Sequence, residues 1–295
     1  MELLMTPFSK SYKEDDDLEL IKESFEGSKG ALNKLINRHQ RFIYNLALKF
    51  VGDRDEAADL TQEVLISLVS KLDKFNGNSS FRTWLYRIVY NQFIDTKRKK
   101  VEKSVVSFEE YGNFLDTAYN DDEMTPQEQA DNEKAIDWTR NKCLTGALIC
   151  LDRQQRMVFI LGAIFNLKSS IAAEILEVTP ENFRKQLQRA KDDLFRFMQD
   201  KCGLINVAAP CRCQKKTKGY IQDGIVSPET IQFYRQFTDS IESVVESKNR
   251  EIDYLITNPY LYLFTQQPYE AKKDNEIKSR QILSDPAVMQ LFQLA

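Results

Sequence analysis

Apolar residues recur at helical spacing in block after block of this chain. Leu20, Ile21 and Phe25 mark a short helix from Leu18 that stops at Gly27, and Leu32, Leu35, Ile36, Ile43, Leu46, Ala47 and Phe50 mark a longer one. Asp53-Arg54-Asp55 opens a third helix. Its Leu60, Val64, Leu68 and Leu72 share one face and leave Asp59, Gln62, Glu63 and Ser67 on or beside the other. The polar turn Asn76-Gly77-Asn78-Ser79-Ser80 separates it from a fourth helix carrying Phe81, Trp84, Leu85, Ile88 and Val89. The stretch from Val105 to Asp131 has no sustained period and reads as a linker, with Pro126 beginning the next helical stretch. Helical spacing then continues to Asp200 through Leu148, Leu151, Val158, Phe159 and Leu161, with Asp152 capping a helix from Arg153.

The run from Ser169 to Lys191 has a pattern of its own. Ala172, Ile175 and Leu176 make an inner face, and Thr179-Pro180-Glu181 supplies an N-cap with proline at the first helical position. Phe183, Leu187 and Ala190 continue inward. This spacing predicts a helix-turn-helix whose second helix turns Arg184, Lys185, Gln186, Arg189 and Lys191 outward, as entry into a major groove requires. Further on, Ser227-Pro228-Glu229 opens an amphipathic stretch with Ile231, Phe233, Tyr234, Phe237, Ile241, Val244 and Val245. Tyr260-Leu261-Tyr262-Leu263-Phe264 is an apolar block too large to leave in water, so the tail is expected to dock as a helical extension.

Charge changes this picture more than composition does. The net charge of −3 hides segregation. From Phe81 to Lys103 seven Lys and Arg face only Asp95 and Glu102, a balance of +5. From Val105 to Asp137 ten Asp and Glu face only Lys134, a balance of −9, and from Glu177 to Lys218 the balance is +5 again. Two basic blocks on an acidic tether read as two DNA-facing modules. At 295 residues the chain suits two compact units with an appendage. No apolar run approaches the roughly 20 residues needed to span a bilayer. The acidic N-terminal segment, taken as ordered only from about residue 15, lacks the apolar core of a signal peptide, so cytoplasmic residence is expected.

No catalytic constellation is present: there is no phosphate-cradling glycine loop, no nucleophile motif and no metal-spaced carboxylate set. His39, the only histidine, lacks partners at ligand spacing and reads as a surface or packing residue. Cys202, Cys211 and Cys213 stand near Lys and Arg, which would favour thiolates. Three ligands are one short of a closed zinc site, so a plain basic loop is preferred; neither metal nor cofactor is expected, and five cysteines do not suggest a disulfide framework.

The residues from Asp55 to Asp95, with their DLTQEV helix, FRTWLYRI helix and basic end, closely resemble the second conserved region of extracytoplasmic-function sigma factors, the promoter-recognition subunits of bacterial RNA polymerase. The 169–191 helix-turn-helix resembles that family's fourth region. The resemblance covers roughly residues 20 to 200. It implies that Asp59, Gln62 and Glu63 dock on the clamp helices of the polymerase's largest subunit. The loop Asn76, Asn78, Ser79 and Ser80, with Arg82, Arg87, Asn91, Gln92, Lys97 and Arg98, would capture the melted minus-ten element. Helical spacing assigns Trp84 and Leu85 to the core instead. Thr179, Asn182, Arg184, Lys185, Gln186, Arg189 and Lys191 would read the minus-thirty-five duplex. Where many relatives have glycine in the turn, this chain has Glu177-Val178. The acidic connector would thread toward the polymerase cleft, or serve as a solvated tether.

The expected architecture is therefore all-α. A polymerase-binding domain spans 18–103, an acidic flexible linker 104–131 and a helix-turn-helix domain 132–200. A Cys/Lys-rich loop over 201–224 and a helical extension over 225–295 follow. The expected partners are core RNA polymerase, promoter DNA and an anti-sigma factor, with no membrane span and no enzymatic activity. A helix-turn-helix regulator acting without polymerase is the alternative, and it has no need of the DLTQE and FRTWLYRI elements.

Overall fold

A computed structural model describes residues 12–95, 107–119, 123–226 and 263–264. Among the described residues every regular element is helical, and the only ladder contact is an isolated bridge between Cys202 and Cys211. By contact they divide into two compact units. One holds residues of Met1–Lys99 and Leu167–Arg184; the other holds residues of Lys100–Asn166 and Lys185–Tyr269.

In the first unit α1 (Glu14–Phe25) packs on α2 (Lys29–Val51), α2 on α3 (Arg54–Ser70), and α3 on α4 (Phe81–Asp95). Leu32, Ile36, Ile43 and Phe50 of α2 meet the apolar faces of α3 and α4, including Val64, Phe81 and Leu85, in a closed core. Gly52 ends α2 in the left-handed conformation at φ 76°, and its N–H donates to Leu48 O at 2.9 Å. Asp53 then caps α3, accepting the N–H groups of Asp55 and Glu56 at 3.0 Å each.

Order begins earlier than the sequence pattern indicates. The Tyr12 hydroxyl donates to Asp17, and the Glu14 carboxylate accepts the N–H of Phe81 at the start of α4. Asp17 itself is fully buried, 2.8 Å from Arg38 Nε and 2.9 Å from His39 Nε2. A carboxylate held by Tyr12, Arg38 and His39 anchors α1 to α2, and His39 is a packing residue, fully buried against Phe81 and Tyr86.

In the second unit α7 (Glu133–Cys150) is the central element. It is flanked by α5 (Phe108–Thr117), α6 (Pro126–Asp131), α8 (Arg153–Phe159) and α11 (Cys213–Gln222). The linker expected over 104–131 is thus largely helical where it is described. Ser107 caps α5 by accepting Glu110 N–H at 3.1 Å, and Thr125 and Glu128 form a capping box on α6. Tyr111 is buried against α7, where its hydroxyl donates to Cys143 O at 3.1 Å. Gly146 makes room for it, because a Cβ there would lie 2.5 Å from the Tyr111 ring. Arg156, buried, donates to the Leu148, Ile149 and Leu151 carbonyls at 2.9 to 3.1 Å and closes the end of α7. A π-helical turn over Ile160–Ile164 continues from α8.

The helix-turn-helix consists of α9 (Ser169–Ile175) and α10 (Pro180–Lys201). By contact α9 groups with the first unit, where it packs on α4. Of the expected C-terminal extension, the amphipathic stretch after Ser227 and residues Tyr260 to Tyr262 lie outside the described residues. Phe264 is fully buried, its ring 5.3 Å edge-on from Phe159.

Candidate nucleic-acid interface

Three sets of expected site residues occupy α3, the 76–80 turn with α4, and α10. On α3 the helical period that buries Leu60, Val64 and Leu68 leaves Asp59 and Glu63 exposed one turn apart, with Gln62 half-buried beside them. Two carboxylates on one open face make a compact acidic patch.

The turn is built from its own side chains. Gly77 takes φ 74°, Asn76 Oδ1 accepts Asn78 N–H at 3.2 Å, and Ser80 Oγ accepts Thr83 N–H at 3.1 Å. Asn76 and Asn78 remain exposed, and Ser79 and Ser80 are half-buried. Phe81 and Leu85 are fully buried. Trp84 is half-buried and packs beside Phe75 at 5.4 Å and Phe81 at 5.8 Å.

The cations of α4 are engaged. Arg82 lies over the Tyr12 ring at 5.2 Å. Arg87 donates from Nη2 to Glu174 O at 3.1 Å, with its Nε 3.3 Å from Glu177 Oε1. These partners are far away in sequence and no local signal identifies them. Asn91 is exposed and Gln92 half-buried; Lys97 and Arg98 lie outside the described residues.

On α10 the Thr179 hydroxyl accepts Asn182 N–H at 3.1 Å, the expected cap. Phe183, Ala190 and Leu194 are buried, while Thr179, Asn182, Arg184, Lys185 and Arg189 are exposed and Gln186 and Lys191 are half-buried. Glu177 takes φ 55°, so a non-glycine residue occupies the left-handed position of the turn.

The loop thiols depart from expectation. Burial is the largest influence on Cys202, Cys211 and Cys213 and pushes all three up, Cys213 to about 12, despite nearby Arg212, Lys216 and Arg140. The cations do not overcome desolvation, so the free thiols stay protonated at neutral pH. As the side chains stand, no three His, Cys, Asp or Glu among the described residues are placed to hold a metal ion.

The chain matches the family model described as Sigma-70 region 2 over residues 35–102 and the one described as Sigma-70, region 4 over residues 141–194. Both regions occur, in that order, on the helices just described. The chain is an extracytoplasmic-function sigma factor of the sigma-70 family. This sigma factor is 27% identical over 183 residues to the ECF RNA polymerase sigma factor SigW of Bacillus subtilis (strain 168), covering 61% of this chain and 95% of that protein. It is 26% identical to RNA polymerase sigma factor CnrH of Cupriavidus metallidurans, also over 183 residues, covering 61% of this chain and 93% of that protein. Among solved structures, CnrH in complex with the cytosolic domain of CnrY matches at 20% identity and a TM-score of 0.43, covering 63% of this chain and 98% of that one. No helix among the described residues of this sigma factor is long and apolar enough to cross a membrane.

Proposed function

We propose that this sigma factor binds core RNA polymerase through Asp59, Gln62 and Glu63 and directs promoter-specific initiation with two DNA-binding surfaces. The 76–80 turn and Arg82, Arg87, Asn91 and Gln92, continued by Lys97 and Arg98, hold the unpaired minus-ten strand. Unstacking a base costs a few kcal/mol, which hydrogen bonds from Asn and Arg and stacking on an aromatic ring face would offset. Thr179, Asn182, Arg184, Lys185, Gln186, Arg189 and Lys191 face the minus-thirty-five duplex. The chain binds and positions, and the polymerase performs the chemistry. The single observation that carries this reading is the division of α10 into a buried apolar face and an exposed cationic one behind a capped turn. A regulator acting without polymerase would not need the region 2 helices.

Transcription from a promoter library by core polymerase plus purified protein tests the reading, with one promoter class expected to respond. Replacing Arg184 and Arg189 together by Ala should cost roughly 1–3 kcal/mol for each lost base contact and relax preference at the minus-thirty-five element. Where a residue touches phosphate instead, the loss is uniform across promoters and the salt slope falls by about one unit. Unchanged output and unchanged preference in the double variant would remove α10 from promoter reading.

A further inference from the structure

Residues 12–17 are bound on two sides within the first unit. Toward α2, Arg38 gathers them: its Nη2 donates to Lys13 O at 2.8 Å, its Nη1 stands 3.1 Å from Asp16 Oδ2 and its Nε 2.8 Å from Asp17 Oδ1. Asp17 is fully buried and also meets His39 Nε2 at 2.9 Å. Toward α4, the Glu14 carboxylate accepts the N–H of Phe81, the first residue of that helix, where the helix dipole favours an anion. The start of α4 follows directly on the 76–80 turn, and it is fixed by a residue 67 positions earlier in the chain.

Tyr12 joins the two sides. Its hydroxyl donates to Asp17, and its ring lies under two guanidinium groups, those of Arg38 and Arg82, each 5.2 Å from the ring centre. Burial, and then the Asp17 carboxylate, raise the phenol well above its ordinary range, so it keeps its proton at neutral pH and remains a donor. The carboxylate thereby sets the direction of the ring, and Arg38 and His39 set the carboxylate. Arg38 is held by Lys13, Asp16 and Asp17 as well, so its place does not depend on the ring. For Arg82 the ring has another consequence. A ring face attracts a cation without consuming its hydrogen-bond donors, which leaves a guanidinium both restricted and able to bind phosphate or base.

We propose that Tyr12 is a positioning residue for the minus-ten strand: its ring, oriented through Asp17, holds the guanidinium of Arg82, two residues past the 76–80 turn, in place before DNA arrives. This role rests on Arg82 being a minus-ten contact, as proposed above. A free arginine side chain loses rotamer freedom when it grips a ligand, and prior restriction by the ring lowers that loss. A contact of this kind corresponds to about two- to fivefold in strand affinity.

The test uses holoenzyme made from core polymerase and full-length protein, bound to a duplex premelted through the minus-ten element of a promoter it selects. Tyr12→Leu should weaken binding about two- to fivefold, and Tyr12→Phe, which keeps the ring, by less than about twofold. In an Arg82→Ala protein, Tyr12→Leu should add nothing, and affinity for core polymerase should stay constant throughout. A merely structural role gives a different pattern, in which Tyr12→Leu weakens the Arg82→Ala protein further and lowers core binding with it. If Tyr12→Leu does not fold, pentafluorophenylalanine at position 12 keeps the size of the ring and removes its negative face; relative to Tyr12→Phe it should weaken binding by the same factor. Additive losses in the double variant would overturn the positioning role and leave Arg82 as a contact. So would full binding by the Tyr12→Leu or fluorinated protein when Arg82→Ala binds poorly. Full binding by Arg82→Ala, or a holoenzyme that selects no promoter, would overturn the minus-ten reading and this role with it.

Discussion

Exposed and buried charges play different parts in this chain. Asp59 and Glu63 project from a helix whose stability comes from Leu60, Val64 and Leu68 on the other side. Their replacement by Lys should therefore change stability by no more than about 0.5 kcal/mol while reversing the charge of the patch. Core polymerase should no longer bind the Asp59→Lys, Glu63→Lys protein, whose circular dichroism should match the wild type; binding at wild-type affinity would count against the patch. The buried thiols behave in the opposite way. Cys213 rises from the ordinary 9.0 to about 12, first through desolvation and then through Cys202 and Cys211, with Arg140 opposing. The folded thiol keeps its proton where the unfolded one has lost it. Its contribution to stability is complete below pH 9 and is lost as pH rises toward about 12. Tyr220, also pushed up to about 12, acts in the same direction, so the difference between variants isolates the thiol. Urea midpoints should fall through that window, and less steeply in Cys213→Ala; equal slopes would argue against thiol burial as the cause.

At the level of elements, the turn between α9 and α10 links two functions. Glu177 holds a left-handed conformation that costs a non-glycine residue about 1–2 kcal/mol, and its carboxylate stands against Arg87, a proposed minus-ten contact. Glu177 is 58% exposed and Arg87 30%, so the pair is worth at most about 1 kcal/mol, roughly a fivefold effect on availability. Glu177→Gly accepts the same φ and frees Arg87 from the carboxylate. Open-complex formation with core polymerase should increase by up to about fivefold, an increase absent when Arg87 is also Ala. A decrease in the single variant would mean that the pair supports promoter melting. Helix ends such as these are legible in sequence because caps act locally: Asp53, Asp152 and Thr179 mark the starts of α3, α8 and α10. Helix α5 is not legible in that way, because Glu109, Glu110 and Asp116 dilute its pattern and its buried residues Tyr111 and Leu115 gain their stability from packing in the second unit. For the same reason the surfaces on α3 and α10 follow from periodicity, whereas the ties of Arg82 to Tyr12, Arg87 to Glu177 and Thr139 to Thr217 exist only after distant helices pack.

For the whole molecule, the folded part of the second unit extends past the helix-turn-helix. Helix α11 closes with the N–H groups of Ile225 and Val226 donating to Tyr220 O at 2.8 and 3.1 Å, and Val226 is buried. The Tyr220 ring packs on Tyr119 at 4.9 Å, so ending the chain at Lys218 would remove part of a core. The boundary suited to testing the C-terminal extension therefore lies after Val226. Deletion from Ser227 onward also removes Phe264 and uncovers Phe159, which is otherwise fully buried, at a cost of about 1.5–3 kcal/mol. The Asp59 and Glu63 patch, the 76–80 turn and the exposed side of α10 all remain in the shortened chain. It should stay folded with a lower unfolding midpoint and select the same promoters with core polymerase, while its activity changes in amount. A folded truncation that initiates at different promoters would place the extension within promoter recognition.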